Sequence, residues 1–141
     1  MLTAVVAVAV VGLVIALVLA VACERGPPPS DVALAYEMAW DHLDFESLWA
    51  VSGDELRDGL GRREFVAAKV AAYAQQTRLS HLARDIVIES VDQGGDFAVV
   101  LTRVELHDGD LAQNELHLVK RVGRWSVVEY RLRSDAPPAP S

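Results

Sequence analysis

Apolar residues run without a single charge from position 2 to position 22, then recur every three or four residues to about position 76, then alternate with polar ones as far as Leu132. Each regime predicts a different element. The 21 uncharged residues of the first make a helix of roughly 30 Å, the hydrocarbon thickness of a bilayer. In the second regime Val32, Tyr36, Met38, Ala39, Trp40 and Leu43 define one helical stripe, with Glu37, Asp41 and Asp44 on its wet side. Asp31 or Ser30 is expected to cap this helix.

A second, short helix is expected over 45–50, with Asp44 as its cap and Phe45, Leu48 and Trp49 as its apolar side. Ser52-Gly53-Asp54-Glu55 follows as a capping-box pattern, which predicts a helical turn over 56–60. A longer helix over 62–76 carries Phe65, Val66, Ala68, Val70, Ala72 and Tyr73 among Arg62, Arg63, Glu64 and Lys69.

Alternation then predicts four strands, over 86–91, 97–106, 111–119 and 125–132, separated by the turn sequences DQGGD, HDGD and RVGR. An antiparallel meander is the simplest arrangement. Ala98, Val100, Thr102, Val104 and Leu106 share one face of the second strand, and Ala112, Asn114, Leu116 and Leu118 one face of the third. A three-residue loop at Asp108-Gly109-Asp110 puts both sets on the same side and Arg103 opposite Glu115 on the other. The fourth strand is apolar on both faces, so its pattern sets no register. Helices followed by an antiparallel sheet make an α+β domain.

Domain boundaries follow from composition. Residues 1–23 form a transmembrane anchor or a lipoprotein signal. Residues 24–30, ERGPPPS, read as an extended proline-rich linker. The folded domain covers 31–134, and 135–141, DAPPAPS, have too little apolar content to order themselves. The 52% hydrophobic content owes much to the first segment, and the net charge of −7 belongs wholly to the remainder. An acidic domain repels phosphate backbones, which argues against nucleic acid as a partner.

Leu19-Ala20-Val21-Ala22-Cys23 matches a bacterial lipobox in part: Ala22 suits the position before cleavage, while Ala20 stands where a leucine is usual. No basic side chain precedes the apolar run, as a secretory signal would require. The reading favoured here is an uncleaved single-pass anchor in a bacterial cytoplasmic membrane. Acylation at Cys23 and a cleaved secretory signal are its alternatives. Eleven arginines against two lysines fit a GC-rich bacterial genome. The domain is expected on the extracytoplasmic side, although Arg25 is the sole basic residue near either end of the run and orients it weakly.

Candidate chemistry is sparse. His42, Asp44, Arg103, Glu105, Glu115, His117 and Glu129 could supply an acid–base pair, but the strand residues among them also suit a solvated sheet face with cross-strand ion pairs, and His42 and Asp44 suit helix ends. His81 and His107 fall in connections. Tyr36, Trp40, Trp49, Tyr73 and Trp125 are candidate lining of an apolar ligand pocket or plain core. Lys120, Arg121 and Arg124 form a basic hairpin tip, read as a solvated turn. Four dispersed histidines and a lone cysteine argue against a metal site, and neither a phosphate loop nor a nucleophile elbow is present, so no cofactor is expected.

The stretch ALAYEMAWDHLDFESLWAVSGDELR resembles the opening helices of the NTF2-like superfamily (nuclear transport factor 2 and its relatives), with its D-F-x-x-L-W step at Asp44-Phe45 and Leu48-Trp49. ELHLVKRVGRWSVVEYRL is similar to that superfamily's last hairpin. The resemblance spans about 31–133 and implies a cone whose curved sheet wraps the helices, with a pocket at its wide end. More narrowly, the chain resembles small bacterial exported or membrane-anchored members of unknown function. The superfamily includes isomerases, dehydratases, hydrolases and non-catalytic domains, so the resemblance implies a fold and leaves the function open. The sequence therefore supports a membrane-tethered domain that binds a protein partner or a small apolar ligand, with an acid–base enzyme of the isomerase or hydrolase type as the alternative.

Overall fold

The computed structural model describes residues 26–133. The apolar run 2–22, Cys23 and the tail 135–141 lie outside the described residues. Among the described residues, no helix is long and apolar enough to cross a membrane.

Helix α1 spans Pro29–Asp41 and has no side-chain cap. This corrects the expected start at Asp31 or Ser30. Pro29 occupies the first helical turn, where its fixed φ and missing N–H suit a helix start, and the Pro28 carbonyl accepts from the amides of Asp31 and Val32. The helix thus begins inside the segment read as linker, and Pro29 is already buried. At its other end Leu43 sits at φ 51°. The Leu43 amide donates to Trp40 O and the Asp44 amide to Ala39 O at 2.8 Å, the paired bonds of a Schellman stop. Asp44 then caps helix α2, Phe45–Val51, accepting from the Ser47 amide at 3.1 Å.

The segment 52–56 departs from the capping-box expectation. Ser52 Oγ turns back to Leu48 O at 2.6 Å, Glu55 pairs with Arg121, and the Gly53 amide donates to Val127 O at 2.7 Å. Ser52 Oγ is thus spent on the end of α2 and the Glu55 carboxylate on Arg121, so neither is left for a capping box. A 3-10 turn, Asp54–Leu56, replaces the helical turn expected further on. Helix α3 is Arg62–Tyr73, ending short of the expected 76 because Ala74, Gln75 and Gln76 carry no apolar stripe.

The sheet is an antiparallel meander of β1 (Ala83–Gly94), β2 (Phe97–Leu106), β3 (Leu111–Arg121) and β4 (Arg124–Arg133), in that order. The predicted inner faces of β2 and β3 hold, with Thr102 beside Asn114 and Val100 beside Leu116. The predicted cross-strand pair does not: Arg103 faces Gln113, and Glu115 faces Leu101 on one side and Arg131 on the other. The loop lies one residue earlier than expected, closed by the Leu106 amide on Asp110 O with Gly109 at φ 93°. Shifting a hairpin loop by one residue moves its register by two, which keeps faces and changes partners.

A bulge in β4 explains its two apolar faces. Leu118 pairs with Val127 but the adjacent His117 pairs with Glu129, so Val128 is the extra residue. Before it Trp125 and Val127 point inward; after it Tyr130, opposite buried Leu116, takes the inner face. Another register shift, between Ile88 and Ser90, bends β1. Val32, Ala33, Tyr36 and Ala39 of α1, Phe45 and Leu48 of α2 and Phe65 of α3 pack into the resulting concave face against Ala98, Val100, Leu116, Leu118, Trp125 and Val127.

Two leucines of β3 test this layering. Leu116 is 0% exposed and Leu111 65%. Leu116→Ala is expected to cost about 2–5 kcal/mol through its cavity, whereas Leu111→Ala should stay within about 0.5 kcal/mol. Denaturant unfolding followed by tryptophan fluorescence measures both.

Candidate functional site

One carboxyl lies inside the cone. Glu37, in the middle of α1, is 6% exposed, where the sequence placed it on the wet side. Its helix position accounts for the correction: Ala33, Glu37 and Trp40 fall at i, i+4 and i+7 on a single stripe, and the curled sheet covers that stripe as well as the one through Val32, Tyr36 and Ala39. Oε1 of Glu37 accepts from Thr102 Oγ1 at 2.7 Å and from Asn114 Nδ2 at 2.9 Å. The Tyr130 hydroxyl reaches Oε2 at 3.5 Å. Thr102 and Asn114 are the paired polar residues on the inner faces of β2 and β3, and Tyr130 is brought inward by the bulge.

Burial pushes the Glu37 carboxyl above the ordinary glutamate range, and the three hydrogen bonds offset part of that rise. Burial, then the nearby Glu37 charge, raises the Tyr130 hydroxyl too. Tyr36 is likewise raised, chiefly by burial. Its ring lies 5.4 Å from that of Tyr130.

These groups border a cavity of about 400 Å³ between α1 and the sheet. Tyr36, Trp40, Tyr73 and Tyr130 form its aromatic wall, and Glu37 and Asn114 are among its few polar groups. Leu79, Leu82 and Leu132, all exposed, stand at its outer end with Leu106 and Ala112. Asp41, which also lines it, is held by the Ala83 amide on Oδ1 at 2.9 Å. The volume falls within the range of ordinary small-molecule sites, and the mostly apolar lining with a few convergent polar groups is their usual composition.

The residues singled out from sequence are distributed over several places. Tyr36, Trp40 and Tyr73 line the cavity. Trp49 lies elsewhere, stacked on Arg57 at 3.8 Å and packed on Phe65, and Trp125 belongs to the core. His42 ends α1 and stacks on His81 at 4.8 Å, lining a separate hollow with Asp41, Arg84 and Asp85. Asp44 caps α2. Arg103, Glu105, Glu115, His117 and Glu129 occupy the outer face of the sheet, where His117 Nε2 lies 2.5 Å from Glu115 Oε1 and Arg103 3.8 Å from Glu89. That contact with His117 holds the half-buried Glu115 carboxyl below the usual range. None of these five lines the cavity. Among the described residues no group of three or more His, Cys, Asp or Glu side chains converges as a metal site.

A Campylobacter jejuni protein named "Putative NTF2-like transpeptidase" superposes with a TM-score of 0.51 at 18% identity, over 72% of this chain and 97% of its own. An NTF-2 like protein of unknown function from Silicibacter pomeroyi does so at 0.50 and 20% identity, over 74% and 92%. The fold is NTF2-like. No family model and no curated protein matches the sequence, so the likeness is one of architecture. Within this NTF2-like domain the cavity lies between the first helix and the curled sheet, and its polar end is built by Glu37.

The raised carboxyl makes stability pH-dependent with a fixed sign. The folded state holds the Glu37 proton more tightly than the unfolded state, so its contribution is full below the ordinary glutamate value and is lost as pH rises through the raised one. Glu37→Gln keeps an acceptor for Thr102 and Asn114 and carries no charge. It is expected to flatten the stability profile between pH 4 and 8 and to stabilise the protein by about 1–3 kcal/mol at the upper end, the desolvation penalty of a buried polar group. Chemical denaturation across that pH range measures the difference.

Proposed function

We propose that the protein is a non-catalytic binding module for a small, mostly apolar ligand, held at a bacterial cytoplasmic membrane by residues 2–22 with its domain on the extracytoplasmic side. The observation that carries the binding reading is the cavity of about 400 Å³, apolar along its walls with Glu37 and Asn114 among its few polar groups. A concave apolar site suits a small molecule better than a protein surface, which favours the ligand over a protein partner. The tether rests on the uncharged run of residues 2–22.

One observation favours a second reading, an acid–base enzyme: a cavity carboxyl pushed upward beside two tyrosines has the makings of a general base. Against it, Oε1 already accepts two hydrogen bonds, and no histidine is among the lining residues. Were the protein an enzyme, Glu37→Gln would abolish turnover and leave ligand retention intact.

Ala112 lines the cavity among the outer side chains, so Ala112→Trp is expected to fill it. Native mass spectrometry of purified full-length protein should then detect less co-purifying small molecule than in the wild type, by about tenfold, at equal folded fraction. Equal retention would refute the site. Intact mass of detergent-extracted protein tests the tether: the full chain is expected, whereas loss of the first 22 residues with added acyl mass would establish the lipoprotein form.

A further inference from the structure

We propose that the NTF2-like cavity takes a small organic cation, a protonated monoamine on an apolar body, with its ammonium head at Glu37 and its body running outward. This deepens the binding-module reading and rests on it.

The first support is a missing counter-charge. Glu37 is nearly fully buried and lines the cavity, yet its hydrogen-bond partners Thr102, Asn114 and Tyr130 are all neutral. Among the described residues no Lys, Arg or His forms an ion pair with it, and no basic side chain lines the cavity. An ionised carboxylate in such surroundings is strongly disfavoured unless a cation comes to it. A ligand that brings the positive charge supplies what the protein withholds.

Ring placement is the second support. Tyr36, Trp40, Tyr73 and Tyr130 line the same cavity as Glu37, with Tyr36 and Tyr130 5.4 Å apart and Trp40 and Tyr73 5.8 Å apart. Aromatic faces carry negative partial charge and attract ammonium groups. They would bind an apolar neutral head equally well, so it is their combination with the carboxylate that selects a cation.

Hydrogen-bond bookkeeping gives the third. Oε1 of Glu37 holds two donors, while Oε2 meets only the Tyr130 hydroxyl at 3.5 Å. The polar end thus has acceptor capacity left over. An anion or a ligand offering only acceptors meets repulsion there, and an N–H donor meets unfilled acceptors.

Orientation follows from the register. Thr102 lies four residues inward of Leu106, and its pair Asn114 two residues inward of Ala112. At about 3.3 Å per residue the head group sits roughly 7–13 Å inside the outer end of the cavity. Leu79, Leu82, Leu106 and Leu132 line the way out, which suits an apolar body. The volume of about 400 Å³ admits a small molecule and excludes a two-chain lipid.

Full-length protein in detergent micelles can be titrated with 2-phenylethylamine, 2-phenylethanol and 3-phenylpropionate, read by NMR shifts of the Trp40 indole N–H. The amine is expected to bind about tenfold or more tighter than the alcohol, and the carboxylate weakest. In Glu37→Gln the amine's advantage should vanish while the alcohol stays within about twofold of its wild-type affinity. Equal binding of amine and alcohol to the wild type, or an advantage that survives in Glu37→Gln, would overturn the cation proposal and leave the binding-module reading standing. If none of the three shifts the Trp40 signal, the cavity is no ligand site and both readings fall. Should Glu37→Gln not fold, the wild-type ranking of amine over alcohol decides alone.

Discussion

The burial of one carboxyl among neutral donors organises this domain. Glu37 joins α1 to β2, β3 and β4 at a single point through Thr102, Asn114 and Tyr130. Each of those strands contributes the one inward polar group that reaches the carboxyl, and the surrounding inner surface is aliphatic or aromatic. A polar cluster in an apolar layer specifies how the layers must meet, because any sliding of helix over sheet would strip a buried acceptor of its donors. The cavity lies beside this cluster, lined by α1 and the sheet.

Much of this was legible in the residues. The change of period near position 84, the glycine turns and the inward sets of β2 and β3 gave the four-stranded meander, and the presence of Thr102 and Asn114 within otherwise apolar inward sets was visible from alternation alone. A helix with a single buried face puts Glu37 on its wet side. A helix lying in a concave sheet is covered over a wider arc, and the Ala33, Glu37, Trp40 spacing was the available signal for the second stripe. The outer-face histidine and carboxylates had the residue types of chemistry without the position. Their place opposite the cavity follows from strand parity, which the sequence already supplied.

The corrections share a cause. The capping box at Ser52 and the Arg103 pairing both follow from local pattern, and they yield to a contact with something distant and to a turn displaced by one residue. The Glu55 carboxylate pairs with Arg121 of β3, and the hairpin closes on Asp110. Local preferences of about 1 kcal/mol are readily overridden by tertiary pairing of that kind.

The extra residue at Val128 has a consequence for comparing this chain with others. It acts as a phase switch: everything after it in β4 is inverted relative to everything before it. A relative of equal length whose last strand runs without the bulge would present the neighbour of the equivalent tyrosine to the interior and turn the tyrosine itself to solvent, although the two sequences would look alike residue for residue. Transfer of roles between chains of this architecture must therefore be anchored on the irregularity in the last strand, since counting positions from either end reads the wrong side of the wall.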